Sequence, residues 1–351
     1  MRKHETRISY GDFYSRQLVL KELGREGQAK LAKSKVAVIG LGGLGTVAAL
    51  YLTLAGVGHL RLIDQDTVEV HNLHRQVLYK PTDLNRPKAE ISAKRLKEVS
   101  PFVKAEAVAE NVNAENIERL LDGVNCVVDG LDNMRTRYLV NRACAKLKIP
   151  YVFGAAIGME GNLSVFAPPE TPCLECVLPN IDDNSLLSCD VRGVLGATAG
   201  IIGTMEAMEA IKILTEIGTP LKGKLLICDF HDMYFTAIDI FKRENCPACR
   251  GKIETEAETK KPSERLVWLC GRNTVNINPQ KTTKLNLENA YTKIKQNFKV
   301  QAKSSMAIAF TYKNFEITLF KDGRMLIKNV PNEKTAITIY QKIRKNLRLN
   351  Q

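Results

Sequence analysis

Residues 36–76 begin VAVIGLGGLG and end LIDQDTVEVHNLHRQ, and that run leaves few folds open. An apolar strand runs into Gly40, Gly42 and Gly45, spelling G-x-G-x-x-G with Gly43 between. In this pattern the chain turns tightly after the strand and opens a helix whose positive N-terminus faces a phosphate. Asp64 ends the next strand about twenty residues on, where a carboxylate accepts a hydrogen bond from a ribose hydroxyl. NAD enzymes share this much. The next residues depart from them: Asn72, Arg75 and Gln76 come directly after the ribose position, and Lys88 is close behind. Cations there suit a triphosphate that is held and cleaved, whereas a nicotinamide needs no such charge.

The spacing of apolar residues predicts two short helices across residues 12–33. Strand 35–39, helix 43–55, strand 59–63, helix 88–99, strand 105–108, helix 114–121, strand 124–128 and strand 151–153 come after them. Asp132 and Asn133 sit at the C-terminal end of strand 124–128, where they cap a helix running to Leu147. Strands alternating with helices imply a doubly wound, mostly parallel Rossmann-like sheet. Ligands bind such sheets beyond the carboxyl ends of the strands, where Gly40–Gly45, Asp64 and Asp132 all fall. Residues 161–166, 225–229 and 234–241 read instead as antiparallel strands around a long helix at 197–214. The fold class is α/β, the Rossmann-like sheet extended by antiparallel strands, with a small C-terminal α+β domain.

Two Cys-x-x-Cys pairs, Cys173/Cys176 and Cys246/Cys249, can each supply two corners of a tetrahedral metal. Four thiolates leave no open position, so a zinc there is structural; a redox role for one pair is the alternative. The N-terminus has no apolar signal core. The most apolar run, residues 193–213, carries Arg192, Glu206, Glu209 and Lys212 in or beside it, which argues against a membrane span. Nine cysteines without a signal point to a reducing, cytoplasmic setting. Cys126, Cys144 and Cys228 fall on apolar elements and read as core residues.

Charge divides the chain. Residues 260–351 hold 19 Lys and Arg against 5 Asp and Glu, a net +14, while the whole chain is +13, so the first 259 residues come to about −1. The polar stretch 253–264 falls at the same place. The expected organisation is therefore a nucleotide-binding domain with its zinc site over 1–252, a linker over 253–264 and a basic α+β domain over 265–351. That last domain reads as strand 266–269, a loop at 276–279 and helix 287–298. Strands near Val300 and at 306–312 and 316–320 come next, then a Lys-Asp-Gly-Arg turn, strand 325–327 and helix 335–346. Its charge admits three readings: a solubilising surface, a dock for an acidic protein partner, or a nucleic-acid surface. Cys270, at the end of its first strand, reads as a core residue, with a sulfur-accepting site at Cys270-Gly271-Arg272 as the alternative.

Taken in order, Ser15-Arg16-Gln17, Gly40–Gly45, Asp64, Asn72 to Gln76, Pro87-Lys88, Asp132-Asn133, Gly154-Ala155-Ala156 and the four paired cysteines resemble the ThiF/MoeB/HesA family, relatives of the ubiquitin-activating enzymes. The match runs from about Tyr14 to Gly251. The resemblance implies ATP-dependent adenylation of the C-terminal glycine of a ubiquitin-like sulfur carrier ending in Gly-Gly, with release of pyrophosphate. The product would feed molybdopterin, thiamine or thiolated-tRNA synthesis. Arg75 and Lys88 would contact phosphates, Asp132 would hold Mg²⁺ and Asp64 the ribose. Arg16 would reach into the partner's site of a homodimer. Cys189, in a polar stretch, is the position at which some relatives bond covalently to the activated carrier; others rely on a separate sulfurtransferase donor. Asp129-Gly130-Leu131-Asp132 lacks the Cys-Thr pair common in this motif. Bland readings stand beside these: Arg16 as a surface charge, Lys88 as a solvated first-turn lysine, Asp132 as a helix cap. The alternatives are a tRNA-modifying adenylating enzyme of the same superfamily and a zinc-containing NAD-dependent oxidoreductase; a non-catalytic partner would be expected to have lost its nucleotide-site cations.

Overall fold

The computed structural model describes residues 8–183, 192–249, 266–269, 273–279 and 284–347 of the 351. Eight strands form the larger sheet: β1 (Lys35–Ile39), β2 (His59–Ile63), β3 (Lys104–Val108), β4 (Cys126–Asp129), β5 (Tyr151–Ile157), β6 (Glu160–Phe166), β7 (Lys224–Asp229) and β8 (Tyr234–Asp239). Their order is β3-β2-β1-β4-β5-β6-β7-β8. From β3 to β5 all neighbours are parallel, and from β5 to β8 all are antiparallel. Strand β1 follows the rule for a parallel strand covered on both faces, a near-continuous apolar run. Val36 and Val38 enter the core under one layer of helices, while Ala37 and Ile39 enter the core on the opposite face. Strand order reverses beside β1, with β2 on one side and β4 on the other, and this opens the crevice that positions the site.

Strand β1 meets β4 at a point where only glycine fits. Gly40 has φ +86°, and a Cβ on it would lie 2.4 Å from the Gly130 carbonyl oxygen; a Cβ on Gly130 would lie 2.1 Å from the Gly40 oxygen. The departure from the family pattern at Gly130 thus falls where two backbones touch at the floor of the crevice.

The second sheet is antiparallel. It comprises β9 (Leu266–Leu269), β10 (Thr274–Ile277), β11 (Lys299–Lys303), β12 (Ala307–Tyr312), β13 (Phe315–Phe320) and β14 (Met325–Lys328), in the order β11-β12-β13-β14-β10-β9. Ile317, Leu319, Met325 and Ile327 face helices Leu287–Asn297 and Glu333–Leu347. Residues of the opposite face, Ala307, Phe320 and Leu326, join the core of the large sheet. The Asp322-Gly323 turn forms as expected, with Gly323 at φ +87° and Asp322 Oδ1 accepting from the Arg324 N–H at 3.0 Å.

Four local expectations need correction. In place of the loop expected at 276–279, Thr274–Ile277 is strand β10, paired on both sides and fully buried. The helix expected at 114–121 is one turn, Ile117–Leu120, because Asn113 and Asn116 side chains take the preceding N–H groups. In place of two short helices, the segment 12–33 holds parts of three, Tyr10–Phe13, Ser15–Leu18 and Gly24–Lys33. Helix Met134–Leu147 is capped by Asn133, whose Oδ1 accepts from Thr136 N at 2.9 Å; Asp132 is not its cap. The expected linker at 253–264 lies outside the described residues.

Gly130→Ala should lower the unfolding free energy by about 1–3 kcal/mol, as overpacking does. Chemical denaturation of the full chain measures this; a change within error would mean that β1 and β4 can separate locally.

Candidate active site

The glycine loop is held from two sides. Asp64 Oδ2 accepts from the Leu41 N–H at 2.7 Å, and its Oδ1 accepts from the Asp66 N–H at 2.7 Å. On the other side the Tyr79 hydroxyl donates to the Leu41 carbonyl at 2.9 Å and meets Ser92 Oγ at 3.1 Å. Burial raises the Asp64 pKa, while Lys88 and the two backbone N–H groups oppose that rise. Tyr79 carries no motif signal; only the fold brings it to the loop.

Lys88 opens helix Lys88–Val99, yet only 7% of it is exposed, so it is not a solvated first-turn lysine. Its Nζ lies 3.3 Å from Asp66 Oδ2, and its own N–H donates to the Asp66 carbonyl at 2.9 Å. Burial disfavours the ammonium, but Asp64, Asp66 and Asp132 outweigh it and hold the Lys88 pKa above its ordinary value. Between Asp66 and Lys88 the chain makes a short 3-10 turn, Val70–Asn72, closed by reciprocal bonds between the Glu69 and Asn72 side chains and backbones. That turn delivers Arg75, whose Nη1 donates to the His71 carbonyl at 2.7 Å. Among the described residues, Gln76 Oε1 and Asp66 Oδ1 are buried oxygens with no partner. Unfilled acceptors in a cavity wall fit a ligand that brings hydroxyl donors or a hydrated cation.

At the end of β4, Asp132 is exposed and lines the same cavity. Beneath it lies a buried cluster that the sequence did not reveal. Arg137 Nε donates to Asp129 Oδ2 at 3.0 Å, the Tyr151 hydroxyl donates to the same oxygen, and Arg137 Nη2 donates to the Leu131 and Gly154 carbonyls, both at 2.8 Å. Asp183 adds a second brace, accepting from the N–H groups of Met134 and Arg135. This fixes the loop that carries Asp132.

The predicted nucleotide residues border one cavity of about 1070 Å³, walled by Gly40, Gly42, Gly43, Asp64, Asn72, Arg75, Gln76, Lys88, Asp132 and Asn133. Gly45 lies just behind, at the start of helix Gly43–Ala55. Farther along, β6 and β7 contribute Asn162, Ile227, Cys228 and Asp229. The cavity exceeds what a nucleotide alone needs and continues toward the antiparallel strands. Arg16 is not part of its wall; it is exposed on helix Ser15–Leu18. Cys189 and Cys270 lie outside the described residues. Cys126, Cys144 and Cys228 are buried, and burial raises each thiol, Cys126 to about 12, so all three stay protonated.

Some distance along the chain, Cys173, Cys176, Cys246 and Cys249 converge, their sulfurs all within 4.8 Å of one another. Cys173 lies 3.5 Å from Cys246 and 3.8 Å from Cys176, and Cys176 lies 3.5 Å from Cys249. Metal–sulfur bonds of about 2.3 Å at tetrahedral angles put neighbouring sulfurs about 3.8 Å apart, so the set suits a tetrahedral metal. The first knuckle is anchored by Glu175, which accepts from Arg142 Nε and Nη2, both at 2.9 Å, and by Asn141, which accepts from Leu174 N–H at 2.9 Å.

Comparison with known proteins places the chain among relatives of known family. The sulfur carrier protein adenylyltransferase of Thermus thermophilus is 40% identical over 253 residues, covering 70% of this chain and 93% of the relative. The adenylyltransferase and sulfurtransferase MOCS3 of Drosophila persimilis is 41% identical over 249 residues, covering 70% of this chain and 55% of its own length. Among solved structures, Escherichia coli MccB with MccA-N7isoASN superposes with TM-score 0.61 at 22% identity over 68% of this chain and 76% of that one, a likeness of fold. The family model described as ThiF matches residues 14–248, and the chain belongs to the ThiF family.

Proposed function

We propose that this protein uses ATP to adenylate the C-terminal glycine of a ubiquitin-like sulfur-carrier protein and releases pyrophosphate. One observation carries the proposal: a single cavity combines a glycine loop and ribose-ready Asp64 with Arg75, Lys88 and Asp132, and extends past β6 and β7. In the reaction, a carboxylate oxygen of the carrier tail attacks the α-phosphorus. The bond from the α-phosphorus to the bridging oxygen breaks, and pyrophosphate leaves with the bond's electrons. No proton need move, so the protein's task is to place two anions together and neutralise them. Lys88 and Arg75 do this with fixed charge, and Asp64 and Gln76 hold the ribose. Asp132 would hold Mg²⁺, which when bound supplies further neutralisation at the phosphates. The tail lies along β6 and β7, and the carrier body covers the apolar edge formed by Tyr234, Phe235, Ile238 and Phe241, all exposed.

The active form is a homodimer. Val19, Leu20, Tyr51, Leu54, Ile201 and Met208 are exposed apolar residues on helices flanking the cavity or just beyond them, and a second copy would cover them and bring its Arg16 to this site. The four cysteines hold a structural zinc. Cys189 serves as the covalent acceptor where sulfur transfer proceeds on this chain; otherwise a sulfurtransferase acts on the released adenylate.

ATP–pyrophosphate exchange should appear only with a carrier that has an intact Gly-Gly tail. Lys88→Ala should lower its rate about 10²–10³-fold, the loss typical of one preorganised charge. Exchange without any carrier, or undiminished in the variant, would sink the proposal. Mixing inactive Arg16→Ala with inactive Asp132→Asn should restore up to about a quarter of the wild-type rate, because half the randomly mixed dimers hold one intact site of two; no recovery would place Arg16 outside the partner's site. Purified protein should carry one zinc per chain by elemental analysis, and Cys246→Ala should lose both the zinc and thermal stability.

A further inference from the structure

Alternate residues of β14 and its turn face the large sheet: Arg324, Leu326 and Lys328. This is the period of a strand whose other face is already taken, since Met325 and Ile327 fill the C-terminal core. Each partner of this face, and of the neighbouring β11–β12 turn, lies beside a segment that builds the nucleotide cavity.

Arg324 is 1% exposed. Its guanidinium lies 3.6 Å over the Phe320 ring, Nη1 donates to Asn276 Oδ1 at 2.8 Å, and Nη2 donates to the Ala109 carbonyl at 3.0 Å. Ala109 follows β3 directly, and the next residues, Glu110, Asn111 and Val112, line the cavity. Lys328 Nζ lies 2.6 Å from Glu69 Oε1, and Glu69 closes the 3-10 turn that sets Asn72 and Arg75. Ser305, between β11 and β12, donates from both N–H and Oγ to Glu90 Oε1, at 3.0 and 2.7 Å; Glu90 is in the first turn of the helix that Lys88 opens. Thr274 and Leu326 themselves form part of the cavity wall.

We infer that the C-terminal domain is a clamp on the nucleotide site, with Lys328 and Arg324 as positioning residues that act through Glu69 and the Ala109 carbonyl. The inference rests on the nucleotide-binding part of the proposed function and deepens it. A buried cation on a turn's capping carboxylate fixes the turn in one geometry, and the turn fixes Arg75. A domain that served only for solubility would have no reason to bury an arginine and a lysine against this face. Its lysine-rich outer surface remains open to solvent, so the clamp and any surface role are separable.

The test uses the full chain. Lys328→Gln should raise the KM for ATP about tenfold with kcat within about twofold, the range expected of a residue that acts through another. Lys328→Arg should restore it, and Lys328→Gln/Glu69→Gln should be no worse than either single variant. Hydrogen exchange reads the clamp without turnover: amides of residues 69–76 should exchange faster in Lys328→Gln, while those of the distant zinc knuckles do not change. An unchanged KM for ATP together with unchanged exchange at 69–76 would overturn the inference. So would a defect that arginine fails to rescue and that spreads over the whole chain. Direct ATP binding separates this from the carrier reaction: weaker binding by Lys328→Gln alongside absent carrier-dependent exchange in the wild type would keep the clamp and discard the carrier, while a wild type that binds no ATP would discard both.

Discussion

One buried carboxylate organises the site. Asp64 takes the N–H of Leu41 with one oxygen and that of Asp66 with the other, so a single side chain ties the glycine loop to the turn after β2. The same charge attracts Lys88, whose backbone N–H is held by the Asp66 carbonyl. Three segments separated in sequence therefore share one electrostatic anchor. Removing a member of such a buried set leaves the others without compensation, which makes the arrangement all-or-none. It also means the site has its geometry before a ligand arrives, the condition under which fixed charges act most strongly.

The two cations at the cavity are prepared differently. Lys88 is paired with Asp66 and enclosed by three carboxylates. Arg75, by contrast, is held by the His71 carbonyl, and among the described residues no carboxylate forms an ion pair with it. It borders the cavity with its charge not cancelled by an acid. A lysine buffered by acids and an arginine steadied by a neutral oxygen give one polyanion two unlike contacts, one compact and one broad and planar.

Much of this was legible in the chain. The glycine spacing, the aspartate closing β2 and the two cysteine pairs are local patterns, and each stands where its pattern put it, because strand, turn and helix start lie within a few residues. Signals that depend on distant partners were not legible. Asn276 looks like a turn residue; it lies in a buried strand paired on both sides, and Arg324, far along the chain, supplies a donor for its side chain. Arg137 and Tyr151 gave no motif, since their common partner Asp129 is reached only when β4 and β5 pair. Asn113 and Asn116 shortened a helix that apolar spacing alone had suggested. The basic charge of the C-terminal region was plain in the composition. Its inward-facing minority, Arg324 and Lys328, could not be told from the outward-facing lysines until the sheet gave β14 two faces.

The four converging sulfurs have a consequence for the unfolded chain. Cys173 and Cys246 are 73 positions apart, and the segment between them includes helix Gly196–Thr215, β7 and β8. A metal joining these positions would close a ring around that whole segment. By the chain-closure argument used for disulfides, a ring of this size removes roughly 4–5 kcal/mol of entropy from the denatured ensemble. The sheet edge and the long helix would then be tethered even when their own packing is lost, and any competition for the thiols, by oxidation or by a chelator, would loosen the far side of the cavity without touching a residue that lines it.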